Sequence, residues 1–177
     1  MNQLQAFGAE IRADIAAIIR HVPPPLPPTV PLDGAGHFAT PYVPPHRRLD
    51  ETAPPATPKG LPVQGRVSGV FGAPLKNHTH KGEDFAAPTG SVVIATADGD
   101  CVGAEVHQGY GNLVAIAHGR RVVTRYAHLS VMLVRPGEHV TRGQVIGLVG
   151  STGHSTGPHL HYEVLVDNHF TDPKAYL

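Results

Sequence analysis

The chain has 177 residues, with 14 basic and 14 acidic side chains and a formal net charge of zero. That balance gives no electrostatic drive toward nucleic acid or an anionic membrane surface, and with no Trp, five Phe and five Tyr there is no base-stacking platform. The single cysteine, Cys101, rules out an internal disulfide framework and reads as a small buried apolar residue. The length suits one modest domain with an appendage. Thirteen histidines stand out. They are scattered rather than run together, and imidazole is the commonest metal ligand, so their spacing decides what they do.

Leu4, Phe7, Ile11, Ile15, Ile18, Ile19 and Val22 recur at intervals of three and four, which predicts an amphipathic helix over residues 1–22. Pro23, Pro24 and Pro25 end it. Its apolar stripe needs a surface: its own domain, a second copy or a protein partner. The opening MNQLQAFGAEIRADI has neither the basic start nor the uninterrupted apolar core of a signal peptide. No stretch offers the ~20 apolar residues that span a bilayer. Synthesis in the cytosol is expected, with delivery to any external substrate by another agent. Residues 23–62 hold thirteen of the eighteen prolines, an extended spacer or arm rather than a core. Any protein partner is expected to engage residues 1–62.

From residue 63 to residue 177 the chain changes character. SVVIAT (91–96), CVGAEV (101–106), NLVAIAH (112–118), RVVTRYAHL (121–129), QVIGLVG (144–150) and LHYEVLV (160–166) are β-branched runs separated by Gly, Pro and Asp. AspGly at 98–99 and HisGly at 118–119 read as tight hairpin connections. An antiparallel all-β sandwich or flattened barrel follows.

Three segments carry chemistry. In HLHYEV (159–164), strand geometry puts His159, His161 and Glu163 on one face and turns Leu160 to the core. The preceding GSTGHSTGP (150–158) is a Gly- and Ser/Thr-rich loop whose backbone donors suit an extended peptide, with Thr156 and Gly157 as expected substrate contacts. In HKGEDF (80–85), His80 and Asp84 offer a nitrogen and a carboxylate oxygen four residues apart, and Gly82 permits the turn that brings both inward. A third ligand from a distant strand would complete an open zinc site with one position left for water. His78 reads as an exposed loop histidine. In RYAHLS (125–130), Tyr126 and His128 are expected on one strand face, Ala127 and Leu129 on the other, with Tyr126 a further substrate contact.

HKGED (80–84), GYGNLVAIAHG (109–119), YAHLS (126–130), PGEHVTRGQVIGLVGSTG (136–153) and STGPHLHYEV (155–164) occur in one order along the β region. In this, residues 65–177 resemble the lysostaphin- and LytM-type zinc metallopeptidases, a family of peptidoglycan endopeptidases. The resemblance implies that His80, Asp84 and His161 bind Zn2+, that His128 and His159 flank the reacting water without ligating the metal, and that the substrate is the stem peptide or cross-bridge of peptidoglycan. Glu83 departs from the family pattern, which more often has an apolar residue there. Residues 1–62 are not covered. A competing reading keeps the fold without turnover, as a LytM-like binding or regulatory module. A lipoyl- or biotinyl-type carrier, suggested by VRPGEHVTRGQVIGLVG (134–150), fails because residues 82–173 contain no lysine for attachment. A wall hydrolase without a signal peptide also raises the expectation of a phage or phage-tail enzyme.

Overall fold

Short runs of Val, Ile and Tyr, broken by glycine and aspartate, favour extended chain that buries one side at a time. The computed structural model, which describes residues 56–76, 78–119 and 121–177, has this all-β architecture. The helix expected over residues 1–22, and all of the proline-rich segment up to residue 55, lie outside the described residues. Ten strands follow in chain order: β1 Arg66–Gly69, β2 Glu83–Ala86, β3 Val92–Ile94, β4 Gly99–His107, β5 Gly111–Ala117, β6 Val122–Met132, β7 His139–Val140, β8 Val145–Val149, β9 His159–Val166 and β10 His169–Thr171. A 3-10 turn at Pro173–Tyr176 comes last. Among the described residues, no helix is long and apolar enough to cross a membrane.

All strand pairs are antiparallel, in the order β1-β2-β9-β6-β5-β4-β7, with β10 beside β9 and β8 joining β3 to β6. β9 is paired on both edges. β2 covers His159–Tyr162 and β10 covers Val164–Val166 along one edge, while β6 runs along the other. Residues 122–127 of β6 pair with β9, and residues 129–132 leave it for β8. Leu160, Tyr162 and Val164 of β9 pack into the core with Phe85, Val93, Ile116, Tyr126, Leu129 and Ile146.

HisGly at 118–119 turns the β5–β6 hairpin, closed by His118 N–H to Val122 O at 2.9 Å, with Gly119 at φ 77°. AspGly at 98–99 makes no hairpin. β3 pairs with β8 and not with β4, and Gly99 instead opens β4, where a side chain would collide with Ala117 O.

Two expectations are corrected by packing. Residues 56–62, assigned by composition to the proline arm, are stitched to the domain: Ala56 N–H donates to His118 O at 2.9 Å, Lys59 N–H to Thr96 O at 3.0 Å, and Ile94 N–H to Pro62 O at 2.9 Å. Tyr126 lies fully buried in the core instead of beside His128. Its ring sits 5.3 Å from that of Tyr162, and its hydroxyl meets the Thr96 and Thr124 hydroxyls at 3.0 Å. The reason is a bulge in β6. His128 adopts a left-handed φ of 62°, the register slips beside it, and the alternation of faces changes phase at that residue.

Candidate metal centre

Asp84 and His161 are opposite one another in the β2–β9 ladder, so their side chains emerge side by side from one face. His80 reaches them from the loop before β2. That loop folds back on itself, with His80 N–H bonded to Ala73 O at 2.9 Å and Gly72 N–H to His80 O at 2.9 Å. Gly82 serves through its missing side chain: a Cβ there would collide with Tyr162 O and stand 2.9 Å from His161 Cε1. Its φ is not left-handed, so the need is for close approach rather than for the special turn expected from sequence.

Three donor atoms converge. His80 Nε2 lies 3.1 Å from Asp84 Oδ1 and 3.1 Å from His161 Nδ1, and His161 Nδ1 lies 2.7 Å from Asp84 Oδ1. The remaining nitrogen of each imidazole faces an acceptor: His80 Nδ1 is 2.9 Å from Val70 O, and His161 Nε2 is 3.1 Å from Glu163 Oε1. Neutral imidazole has one N–H. Those acceptors place it on the outer nitrogens and leave two lone pairs facing a carboxylate oxygen. Such a cluster is stabilised only by a positive charge at its centre, either a proton or a metal ion. His80, Asp84 and His161 form a group able to hold a metal ion, and two nitrogens with one oxygen match the donors that zinc takes in open sites.

Without a metal, protons take that place. The hydrogen bond to Asp84 raises the His80 pKa above its ordinary value. Burial opposes protonation of His161, but hydrogen bonds to Asp84 and Glu163 outweigh it and raise the group to about 9. Burial likewise disfavours the Asp84 carboxylate, and the hydrogen bonds from His161 and His80 still hold its pKa below the ordinary range.

The other two sequence-selected histidines stand beside this set. The β6 bulge carries His128 across, so that its ring lies 5.9 Å from that of His161 and 4.7 Å from that of His159. His128 Nδ1 meets Thr152 O at 2.8 Å, which leaves Nε2 as its lone pair, and burial lowers its pKa to about 4. His159 Nδ1 meets Gly157 O at 2.7 Å, and its Nε2 lies 3.8 Å from Asp84 Oδ1. Gly157 thus holds His159 through its carbonyl, and there is open space on the side where a side chain would project. Thr156 is exposed on the same loop and His78 is exposed as expected. Tyr126, buried beneath the sheet, is not part of the site. Sequence reasoning gave no role to Tyr110 and Arg125, both of which reach Glu163. The only available signal was that Glu163 shares the His161 face.

The sequence pattern described as peptidase family M23 matches residues 78–173, more than half of the chain. The chain belongs to that family of hydrolases. It is 53% identical over 87 residues to the peptidoglycan DD-endopeptidase ShyA of Vibrio cholerae serotype O1, covering 49% of this chain and 20% of that protein. It is 47% identical over 116 residues to the DD-carboxypeptidase/endopeptidase Mpg of Neisseria meningitidis serogroup B, covering 63% and 27%. The match therefore spans only about a fifth to a quarter of these relatives' own length. Among solved structures, a zinc-containing peptidase from Vibrio cholerae superposes with a TM-score of 0.62 at 39% identity, over 67% of this chain and 39% of that one. The catalytic domain of lysostaphin from Staphylococcus simulans superposes with a TM-score of 0.60 at 33% identity, over 63% and 91%.

Proposed function

We propose that the chain is a zinc-dependent endopeptidase that cleaves peptide bonds in the stem peptides or cross-bridges of bacterial peptidoglycan. The observation that carries this reading is the convergence of His80 Nε2, Asp84 Oδ1 and His161 Nδ1 within 2.7–3.1 Å of one another, with no proton of a neutral imidazole between them. In this reading those three residues are the zinc ligands. The substrate class rests on the relatives named as peptidoglycan endopeptidases.

When bound, zinc supplies Lewis acidity, polarising the scissile carbonyl and acidifying a water. The chain's own residues manage the protons. His128, with Nδ1 fixed by Thr152 O and its pKa lowered to about 4, is neutral at neutral pH and presents Nε2 as an acceptor. His159, fixed in the same manner by Gly157 O, presents its Nε2 beside the ligand set. Between them these imidazoles take the proton from the attacking water and deliver one to the leaving amine. An imidazole that carries a proton on Nε2 can also donate a hydrogen bond to the developing oxyanion before passing that proton on. An extended peptide would run past the exposed Thr156 and through the space left open beside Gly157.

The test is to incubate purified peptidoglycan with zinc-loaded protein and with a chelated control, and to identify released fragments by mass spectrometry. Chelator-sensitive release of peptide-cleaved fragments is expected. His161→Ala should lose both zinc and turnover, while His128→Ala should keep stoichiometric zinc and lose turnover. Intact peptidoglycan beside a zinc-retaining wild type would favour the non-catalytic binding module, and zinc retained by His161→Ala would refute the ligand assignment.

A further inference from the structure

Glu163 is fully buried, and one of the three polar partners of its carboxylate is the proposed ligand His161. Oε1 accepts from the Tyr110 hydroxyl at 2.7 Å and lies 3.1 Å from His161 Nε2. Oε2 accepts from Arg125 Nη1 at 3.5 Å. The three partners come from different elements: Tyr110 from the β4–β5 turn, Arg125 from β6 and His161 from β9 itself. Arg125 sits directly across from Glu163 in the β6–β9 ladder. It is held from outside by Phe170 of β10, whose ring lies 5.9 Å from its guanidinium carbon and 4.8 Å from Lys81 Nζ. Tyr110 also packs its ring 5.8 Å from that of His161.

A carboxylate removed from water is costly unless compensated on more than one side. Here the compensation comes from one cation, one hydroxyl and one imidazole, and the imidazole belongs to the ligand set. We infer that Glu163 is a positioning residue. It holds the N–H of His161 on Nε2, so that Nδ1 is the lone pair presented to His80 and Asp84, and Tyr110 and Arg125 fix the carboxylate in the orientation that does this. The inference rests on the metal-centre reading above. It extends that reading to residues that touch neither metal nor substrate. Without an acceptor at Nε2, the neutral ring is free to carry its proton on Nδ1, where it points into the cluster and blocks the ligand position. Acceptors of this kind, behind a metal-bound histidine, typically contribute about 10- to 100-fold in metal affinity.

The experiment uses the full chain and zinc itself, with affinity measured by competition against a chelator and ring tautomers read from nitrogen-15 spectra of labelled histidine. Zinc-loaded wild type should show His161 metallated through Nδ1 and protonated at Nε2. Glu163→Leu should bind zinc about 100-fold more weakly, Glu163→Gln and Tyr110→Phe about 10-fold more weakly, with circular dichroism showing the same β content. Tyr110→Phe and Arg125→Met keep the question answerable if the Glu163 variants do not fold, because both leave the carboxylate in place and loosen only its support. Zinc affinity and ring spectra unchanged in all the folded variants would overturn the positioning role while sparing the metal centre. A wild type that takes up no zinc would overturn both.

Discussion

Glu83 occupies a position where an apolar side chain would suit the surroundings better. It is fully buried, its Oε2 accepts only a long 3.4 Å bond from Phe71 N–H, and its Oε1 meets no partner among the described residues. An unpaired buried polar group costs about 1–3 kcal/mol. Glu83→Val should therefore raise stability by roughly that amount, seen as a higher thermal midpoint with zinc content unchanged, since Asp84 next to it points to the opposite face. A lower midpoint would mean that Glu83 is compensated in solution after all. His118 is the other buried polar residue with a measurable signature. Its Nδ1 meets Asp98 O at 2.8 Å and its Nε2 the Thr124 hydroxyl at 2.7 Å, and burial lowers its pKa below the ordinary 6.5. A histidine harder to protonate folded than unfolded contributes its stability above the unfolded value and loses it as pH falls through and below 6.5. Wild-type stability should therefore fall with decreasing pH more steeply than that of His118→Gln between about pH 7 and about pH 5. The opposing protonation of His80 and His161 in chelated protein contributes equally in both variants. An unchanged slope would assign the acid sensitivity to other groups.

Strand β6 shows where sequence patterning succeeds and where it stops. The alternation in HLHYEV was readable because β9 is regular: His159, His161 and Glu163 share a face as the period of two requires. The pairing of HKGED with that strand was legible only through the family resemblance, because nothing in either segment alone encodes the Asp84–His161 register. In RYAHLS the same period of two misplaced Tyr126, since the bulge at His128 is set by tertiary contacts that no local pattern announces. His128 N–H donates to Tyr110 O at 2.8 Å and its ring to Thr152 O at 2.8 Å, and these hold a left-handed φ of 62°. Left-handed backbone costs a side-chain-bearing residue about 1–2 kcal/mol, and glycine escapes that cost. Both His128→Gly and His128→Ala should be inactive, but the glycine variant should melt higher, by the equivalent of about 1 kcal/mol after its larger unfolded-state entropy is subtracted. If the alanine variant melts higher, β6 runs through this position without the bulge, and His128 reaches the site by another route.

The boundary of the folded unit is the property that composition misjudged most. Proline content put the arm's end at residue 62, yet Pro58, Pro62 and Val63 are buried. The backbone of residues 56–62 bonds to His118, Thr96, Ile94 and, through Gly60 N–H, Tyr176 O at 2.9 Å. Of the five backbone N–H donors in residues 56–62, those of Ala56, Lys59 and Gly60 bond to the domain. The segment thus runs from the β5–β6 turn, past the residues around β3, to the final 3-10 turn, tying together parts of the chain far apart in sequence. Each such hydrogen bond contributes about 0.5–1.5 kcal/mol, and the burial of two proline rings adds to that. A chain beginning at residue 56 keeps every backbone bond named above and the whole core cluster of the described residues, and should bind zinc stoichiometrically. One beginning at residue 63 should retain the sheet but lose roughly 2–5 kcal/mol, read from denaturant unfolding. Its zinc content should still be stoichiometric, since none of the proposed ligands touches the removed segment. Equal stability of the two truncations would return residues 56–62 to the arm. Loss of zinc in the shorter one alone would show that this segment, although far along the chain from His80 and Asp84, holds the sheet in the register on which the ligand triangle depends.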